Sequence, residues 1–244
     1  MIVSARKEPL VSSYDTMHTP VINLPEVDRA TFVGNVYKHV AGALAAFMAF
    51  EVLLFNLGIA DSMRSFFFEG GSQARWLLVL GGFMAMQWFA ANAAADLVNP
   101  SRQYVGLFVA ALGQALIFAP MLSYAFDRDP GAVLQAAVVT GIAFALLTAI
   151  GLFTRKDLSF LRPIMMWGFG LALIAIVGAV IFNFALGTWF ALAMIGLSGV
   201  SILYQTQSVV RRYPVQAHVA AAVALFSSLM QMFWYVLQLF LSRD

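Results

Sequence analysis

The 244-residue sequence has no cysteine, which excludes disulfides and thiolate metal ligands. It is also poor in charge: 11% of residues are Asp, Glu, Lys or Arg, while 61% are hydrophobic. A water-facing domain carries about a quarter of its residues charged, so this chain has too few for a soluble surface. It lacks a Gly-rich phosphate loop, an HExxH pair and a nucleophile elbow. The few basic residues form no stripe that could follow a nucleic-acid backbone, so a nucleic-acid partner is excluded. His18, His39 and His218 lie far apart in the sequence, and this scatter argues against a metal site. No Ser–His or paired-Asp arrangement recurs at helical spacing. No cofactor and no enzymatic activity are expected.

What the chain does have is seven long apolar runs. A spanning helix needs about 20 apolar residues. The runs are Tyr37–Ile59, Trp76–Ala95, Tyr104–Phe126, Ala132–Phe153, Leu161–Leu186, Trp189–Val209 and Val215–Leu241. They are too long, and alternate too little, for membrane strands. The predicted architecture is an all-α membrane protein, a bundle of seven transmembrane helices over residues 33–244, with the lipid bilayer as its surroundings. Residues 1–32 are polar, broken by Pro9, Pro20 and Pro25, and contain no apolar core of the signal-peptide kind. They are expected to form a mostly disordered cytoplasmic tail. Asn99-Pro100-Ser101 and Asp129-Pro130-Gly131 are turn chemistry. Gly187-Thr188 alone is expected to join the fifth and sixth helices. Phe66, Phe67 and Phe68, in the longest link, suit a membrane interface.

Orientation follows from Lys and Arg. With the tail inside, the inner side collects Arg6, Lys7, Arg29, Lys38, Arg102, Arg155, Lys156, Arg162, Arg211 and Arg212. The outer side collects only Arg64, Arg75, Arg128 and Arg243. The bias places the N-terminus in the cytoplasm and the C-terminus outside. Trp76 and Trp189 then mark outer-side helix starts, as an aromatic belt would.

Three stretches resemble a known family. Thr154-Arg155-Lys156-Asp157-Leu158-Ser159-Phe160-Leu161, a charged island between the fourth and fifth runs, is similar to the family's TxKDLSFL-like loop. Ile202-Leu203-Tyr204-Gln205-Thr206-Gln207 is similar to its LYDTQ signature, and Leu225–Phe233 falls on its LYLDFINLF. The family is Bax inhibitor-1. The terminal Leu241-Ser242-Arg243-Asp244 looks like the ending of its bacterial branch, called modulator of FtsH protease. The resemblance implies a multi-pass protein of a bacterial inner membrane. It implies as partner a membrane-bound AAA protease of the FtsH type, which this chain would bind and modulate and which could grip the N-terminal tail. The alternative it implies is a Ca2+ or other cation leak. Many family members carry two facing aspartates that share a proton and gate that leak. Here the matching positions are Gln205 and Ser228. Neither titrates, so a gate that depends on two close carboxyls is not expected.

The residues themselves offer further candidates. Ser198, Ser201, Gln205 and Ser208 share one face of the sixth helix, and Ser228, Gln231, Tyr235 and Gln238 share one face of the seventh. Both faces are expected to look inward. They are read either as interhelical hydrogen bonds or as an ion path, with Gln205, Ser228 and Gln231 as its lining. Glu51 is the only acid deep inside a run. It is either an ion-path residue or a protonated structural one. Arg155, Lys156 and Asp157 either fix topology, or close the cytoplasmic mouth and dock a partner. Asp157 is expected to pair locally with Arg155 or Lys156. Gly106, Ala110 and Gly113, and Gly196 with Gly199, are read as places of close helix approach.

Overall fold

The computed structural model describes residues 20–23, 25–66 and 73–242. The tail readings on residues 1–19, the Phe67-Phe68 interface reading and the terminal Arg243-Asp244 lie outside the described residues. Among the described residues, eight α-helices succeed one another: α1 (Glu26–Asn56), α2 (Ile59–Arg64), α3 (Gln73–Ala94), α4 (Pro100–Arg128), α5 (Pro130–Phe153), α6 (Leu161–Phe182), α7 (Gly187–Arg211) and α8 (His218–Leu241). All but α2 are long and apolar enough to cross a membrane, which gives seven spans. The predicted seven-helix all-α membrane architecture is therefore found.

Proline and aspartate set several boundaries. Pro100 and Pro130 open α4 and α5, where a missing N–H costs nothing. Asn99 and Asp129 precede them as caps, accepting from the Arg102 and Gly131 amides. The bundle centre is built from α4 and α8, whose most apolar windows are each 61% buried, whereas that of α6 is 6% buried. α4 and α8 are therefore the posts, and α6 is turned almost wholly outward to lipid. Phe118 of α4 stacks on Phe233 of α8 at 5.4 Å and meets Phe47 of α1 edge-on at 5.4 Å.

α1 begins at Glu26, well before the expected start near Tyr37 and the expected domain boundary at residue 33. The reason is burial on one stripe: Phe32, Val36 and Val40 pack against Val209, Ala221, Ala222 and Leu225. Glu26 and Asp28 in the first turn complement the helix dipole. Even Val21, in the expected tail, is fully buried, and its amide donates to the Tyr213 carbonyl at 3.0 Å.

The link between α6 and α7 is longer than the two residues expected. α6 ends at Phe182, Asn183 adopts φ 51°, and α7 opens at Gly187, φ 70°. Close helix approach is real at Gly106, where a Cβ would lie 2.6 Å from the Ala90 carbonyl oxygen and the Ala94 nitrogen. Ala110 is buried in the core, and Gly113 lies against Gln87 of α3. At Gly196 a Cβ would meet nothing within 4 Å, so that position is not an approach point. Gly151, not anticipated, is one: its Cβ would lie 2.8 Å from Thr206 Cβ.

Odd-numbered spans run one way and even-numbered spans the other. One end of the bundle, here the loop face, carries Thr154–Phe160. The opposite end, the cap face, carries α2.

Candidate functional site

The loop is clamped from behind. Gln207 of α7 donates to the Lys156 carbonyl at 2.6 Å and accepts from the Leu158 amide at 2.7 Å. The Arg211 guanidinium donates to the Arg155 carbonyl at 2.9 Å and the Thr154 carbonyl at 3.4 Å. The side chains of Arg155, Lys156 and Asp157 remain exposed. The expected local pairing of Asp157 is not what forms: its partner is Arg212, from the α7–α8 link, at 3.5 Å. The Ser159 hydroxyl and amide also donate to Asp157, at 2.8 and 3.0 Å. Those two bonds, ahead of the Arg212 and Arg211 charges, hold its carboxyl below the ordinary carboxylate range. A depressed folded-state value means the contribution is fully present above the unfolded carboxylate pKa and is lost only as pH falls through the lower folded value. Protection of the Ser159 amide, measured against its intrinsic exchange rate at each pH, is thus expected to persist through mildly acidic pH and to be lost only below it.

Gln207 is the keystone of this clamp. Gln207→Leu is expected to strand two backbone groups, at about 1–3 kcal/mol each where they stay dry. The loop should then become a substrate for trypsin at Arg155 and Lys156, measured against the intact protein in native membranes.

Deeper in the bundle, α7 meets α8 through three neutral side chains. Ser201 Oγ and Ser228 Oγ are 2.9 Å apart. Gln205 Nε2 donates to both at 3.0 Å. Ser228 Oγ in turn donates to the Ala224 carbonyl at 3.2 Å. Gln205 and Ser228 therefore touch, yet nothing in the triad titrates and each hydrogen has an acceptor. The triad is a clasp between helices. Gln231 is half-buried and not part of it, and Gln238 is exposed, so the α8 face does not look inward along its whole length. Beside the clasp, Gln205 Oε1 is buried without a partner. The Tyr37 hydroxyl faces the hydroxyls of Thr148 and Thr206 without closing a regular hydrogen bond among them. The close approach at Gly151 brings Thr206 there.

Glu51 is the exception in chemistry. It continues the buried stripe of α1 between Phe47 and Leu54, whose core partners include Phe118, Leu122 and Met230. It is 7% exposed, and among the described residues neither carboxylate oxygen has a hydrogen-bond partner. A buried carboxylate without donor or counter-ion carries a cost of several kcal/mol, so the site holds this group at the expense of stability.

The structure also gathers residues that the sequence left apart. His39 of α1 and His218 of α8 have ring centroids 4.9 Å apart, so these two histidines are not scattered. His39 Nδ1 lies 2.7 Å from the Asn35 carbonyl and Nε2 lies 3.2 Å from the Tyr104 hydroxyl. Among the described residues no three His, Asp or Glu side chains come together as a metal site. Gln103 ties the α3–α4 turn to the α7–α8 link through the Asp96 and Gln216 carbonyls, at 2.7 and 3.2 Å. On the cap face, Arg64 of α2 pairs with Asp127 of α4, and Ser123 Oγ donates to Asp61 at 2.6 Å. Sequence spacing carries no signal for these links, because each joins residues far apart along the chain.

Comparison with known proteins adds a family and relatives. The family model described as inhibitor of apoptosis-promoting Bax1 matches residues 29–244. An uncharacterized protein of Helicobacter pylori strain J99 is 26% identical over 230 residues, covering 91% of this chain and 92% of its own. An uncharacterized membrane protein of Vibrio cholerae is 26% identical over 157 residues, covering 62% of this chain and 65% of its own. A Neisseria meningitidis protein, NMA0420, is 27% identical over 141 residues, 57% of this chain and 62% of its own.

Proposed function

The chain belongs to the Bax inhibitor-1 family, and we propose that it is a multi-pass membrane protein that handles a cation at Glu51. One observation carries this reading: an acid inside a membrane bundle with both oxygens buried and unpartnered. Ionisable residues at such depth are costly and mark ion or proton pathways. The proposal departs from the aspartate-pair gate, because the Gln205–Ser228 contact is neutral. The protein acts without catalysis, and in a bacterial inner membrane with its loop face towards the cytoplasm. Purified protein in liposomes, loaded with calcium- and pH-sensitive dyes, tests it. Glu51→Gln is expected to abolish the flux that the unaltered protein supports, and unchanged flux would make Glu51 structural. Flux rising steeply between pH 8 and pH 6 (the range that brackets a raised carboxyl pair) and persisting in Glu51→Gln would place the titrating group elsewhere.

A second reading has its own observation. The exposed side chains of Arg155, Lys156 and Asp157 sit on a backbone fixed by Gln207 and Arg211. A surface ordered in advance avoids part of the entropic cost of association. This favours docking of a membrane-anchored ATP-dependent protease of the FtsH type, modulated by this chain. Crosslinked pull-down from native membranes is expected to recover such a protease, and Arg155→Glu with Lys156→Glu to lose it. Recovery of no protease overturns this second reading.

A further inference from the structure

We propose that Glu51 is a protonation site reached from the cap face, and that the short helix α2 is the lid over it. The inference rests on the cation reading above, and it names the ion and the side of entry.

Position gives the side. Glu51 is five residues from Asn56, the last residue of α1, or about 7.5 Å at the usual helical rise. It is twenty-five residues from Glu26 at the other end, about 37 Å by the same rise. The longer way also runs past an apolar seal, Phe32, Val36 and Val40 against Val209 and Leu225, and then meets the clamped loop. The shorter way passes the buried Leu54 and Ala60 and ends at the turn after α1 and at α2.

That short segment is a hinged and bolted element. The chain leaves α1 through Leu57 and turns at Gly58, whose φ of 67° suits glycine. α2 then lies against α4, anchored by the fully buried Ala60. Side-chain links to α4 hold it: Ser123, 2% exposed, donates to Asp61, and Arg64 pairs with Asp127. Both join the lid to one helix, α4, against which Ala60 and Met63 also pack, so α2 swings about Gly58 only as these contacts part together.

Chemistry gives the ion. A divalent cation of the calcium type asks for six to eight oxygens, several of them carboxylate. Glu51 offers one carboxyl, and among the described residues no ionisable group bonds it. On the elements packed against α1, the titratable or charged groups are Asp61 and Arg64 of α2, Arg102, Tyr104, Tyr124, Asp127 and Arg128 of α4, Tyr204 and Arg211 of α7, and His218 and Tyr235 of α8. None of them bonds a Glu51 oxygen. On α1 itself nothing titratable lies beyond His39 except Glu51. A proton needs only the one carboxyl: it passes from hydronium to a Glu51 oxygen, leaving water.

The test uses a water-soluble, membrane-impermeant carbodiimide, which adds to a carboxyl and leaves a mass tag. It is supplied to one face at a time of vesicles holding the full chain, with Glu51→Gln as the untagged control. Tagging of Glu51 is expected to be faster from the cap face, and Ser123→Ala to speed it up to about tenfold, the equivalent of one net hydrogen bond. Because the chain has no cysteine, Asp61→Cys with Ser123→Cys can be joined by a reducible thiol crosslinker. The crosslink should suppress tagging, and reduction should restore it. Faster tagging from the loop face, or a rate indifferent to both Ser123→Ala and the crosslink, overturns the proposal. Cap-face, lid-dependent tagging in a protein that passes no cation supports the proposal and overturns the cation reading. Calcium flux that needs Glu51 but ignores the lid overturns the proposal alone.

Discussion

Gly106→Ala is expected to disrupt the folded bundle, with a loss of about 3 kcal/mol or more, at the upper end of what overpacking a core costs. The added methyl would lie 2.6 Å from both the Ala90 carbonyl oxygen and the Ala94 nitrogen, and 3.1 Å from the Ala94 Cα. All three are backbone atoms of α3, so no side-chain rotation relieves the contact, and α3 must back away from α4. Backing away opens the dry seam formed by Ala90, Ala94 and Ala110, all fully buried. Between helices in lipid, association rests on such van der Waals contact, so losing it weakens the hold of α3 on α4. Gly168→Ala is the informative comparison. Its new methyl would lie 2.7 Å from Leu197 Cδ1, the end of a flexible side chain, which can turn aside. Gly141→Ala, with nothing within 4 Å, should be neutral. Detergent-solubilised thermal stability, measured across the three variants, should fall steeply for the first, slightly for the second and not at all for the third.

The same contrast explains which features could be read from the residues alone. Span number follows from run length, because lipid tests each span separately. α4 and α5 begin within four residues of the expected positions, since Pro100 and Pro130 mark them. The start of α1 was not legible. Asn35, Lys38 and Arg29 make that segment polar on average, while Phe32, Val36 and Val40 bury one stripe of it. An average over a window sees the polar face, but the fold uses the apolar one. The Gln205–Ser228 contact could be anticipated from two helices with polar faces at matching spacing. The Asp157–Arg212 pair, the His39–His218 contact and the Ser123–Asp61 bolt could not. Each depends on which helix ends lie side by side, and periodicity within one helix carries no such information. Glu51 stood out in the sequence as a lone acid. Its lack of a partner among the described residues depends on which side chains the fold brings around it.

Glu51→Leu is expected to raise the thermal stability of the protein while abolishing the cation handling proposed for it. In the native fold two buried oxygens are without donors, and an unsatisfied buried polar group costs about 1–3 kcal/mol, more when charged. Leucine has a similar reach and asks for nothing but apolar neighbours. Phe47 and Leu54 on the same stripe, and Phe118, Leu122 and Met230 in the cluster they join, supply these. The substitution should therefore recover about 1–3 kcal/mol, read as a higher midpoint in detergent and slower thermal aggregation. Glu51→Gln should recover less, because its amide still brings unpaired polar atoms into the same place. This ordering, Leu above Gln above native Glu, is the opposite of what a structural acid would give. A glutamate that held helices together through hydrogen bonds would lose stability in both variants, and most in leucine. A stability gain together with lost flux is the signature of a group kept for what it does at the expense of the fold. A lower midpoint for Glu51→Leu would instead assign Glu51 to the scaffold and remove the basis for the lid.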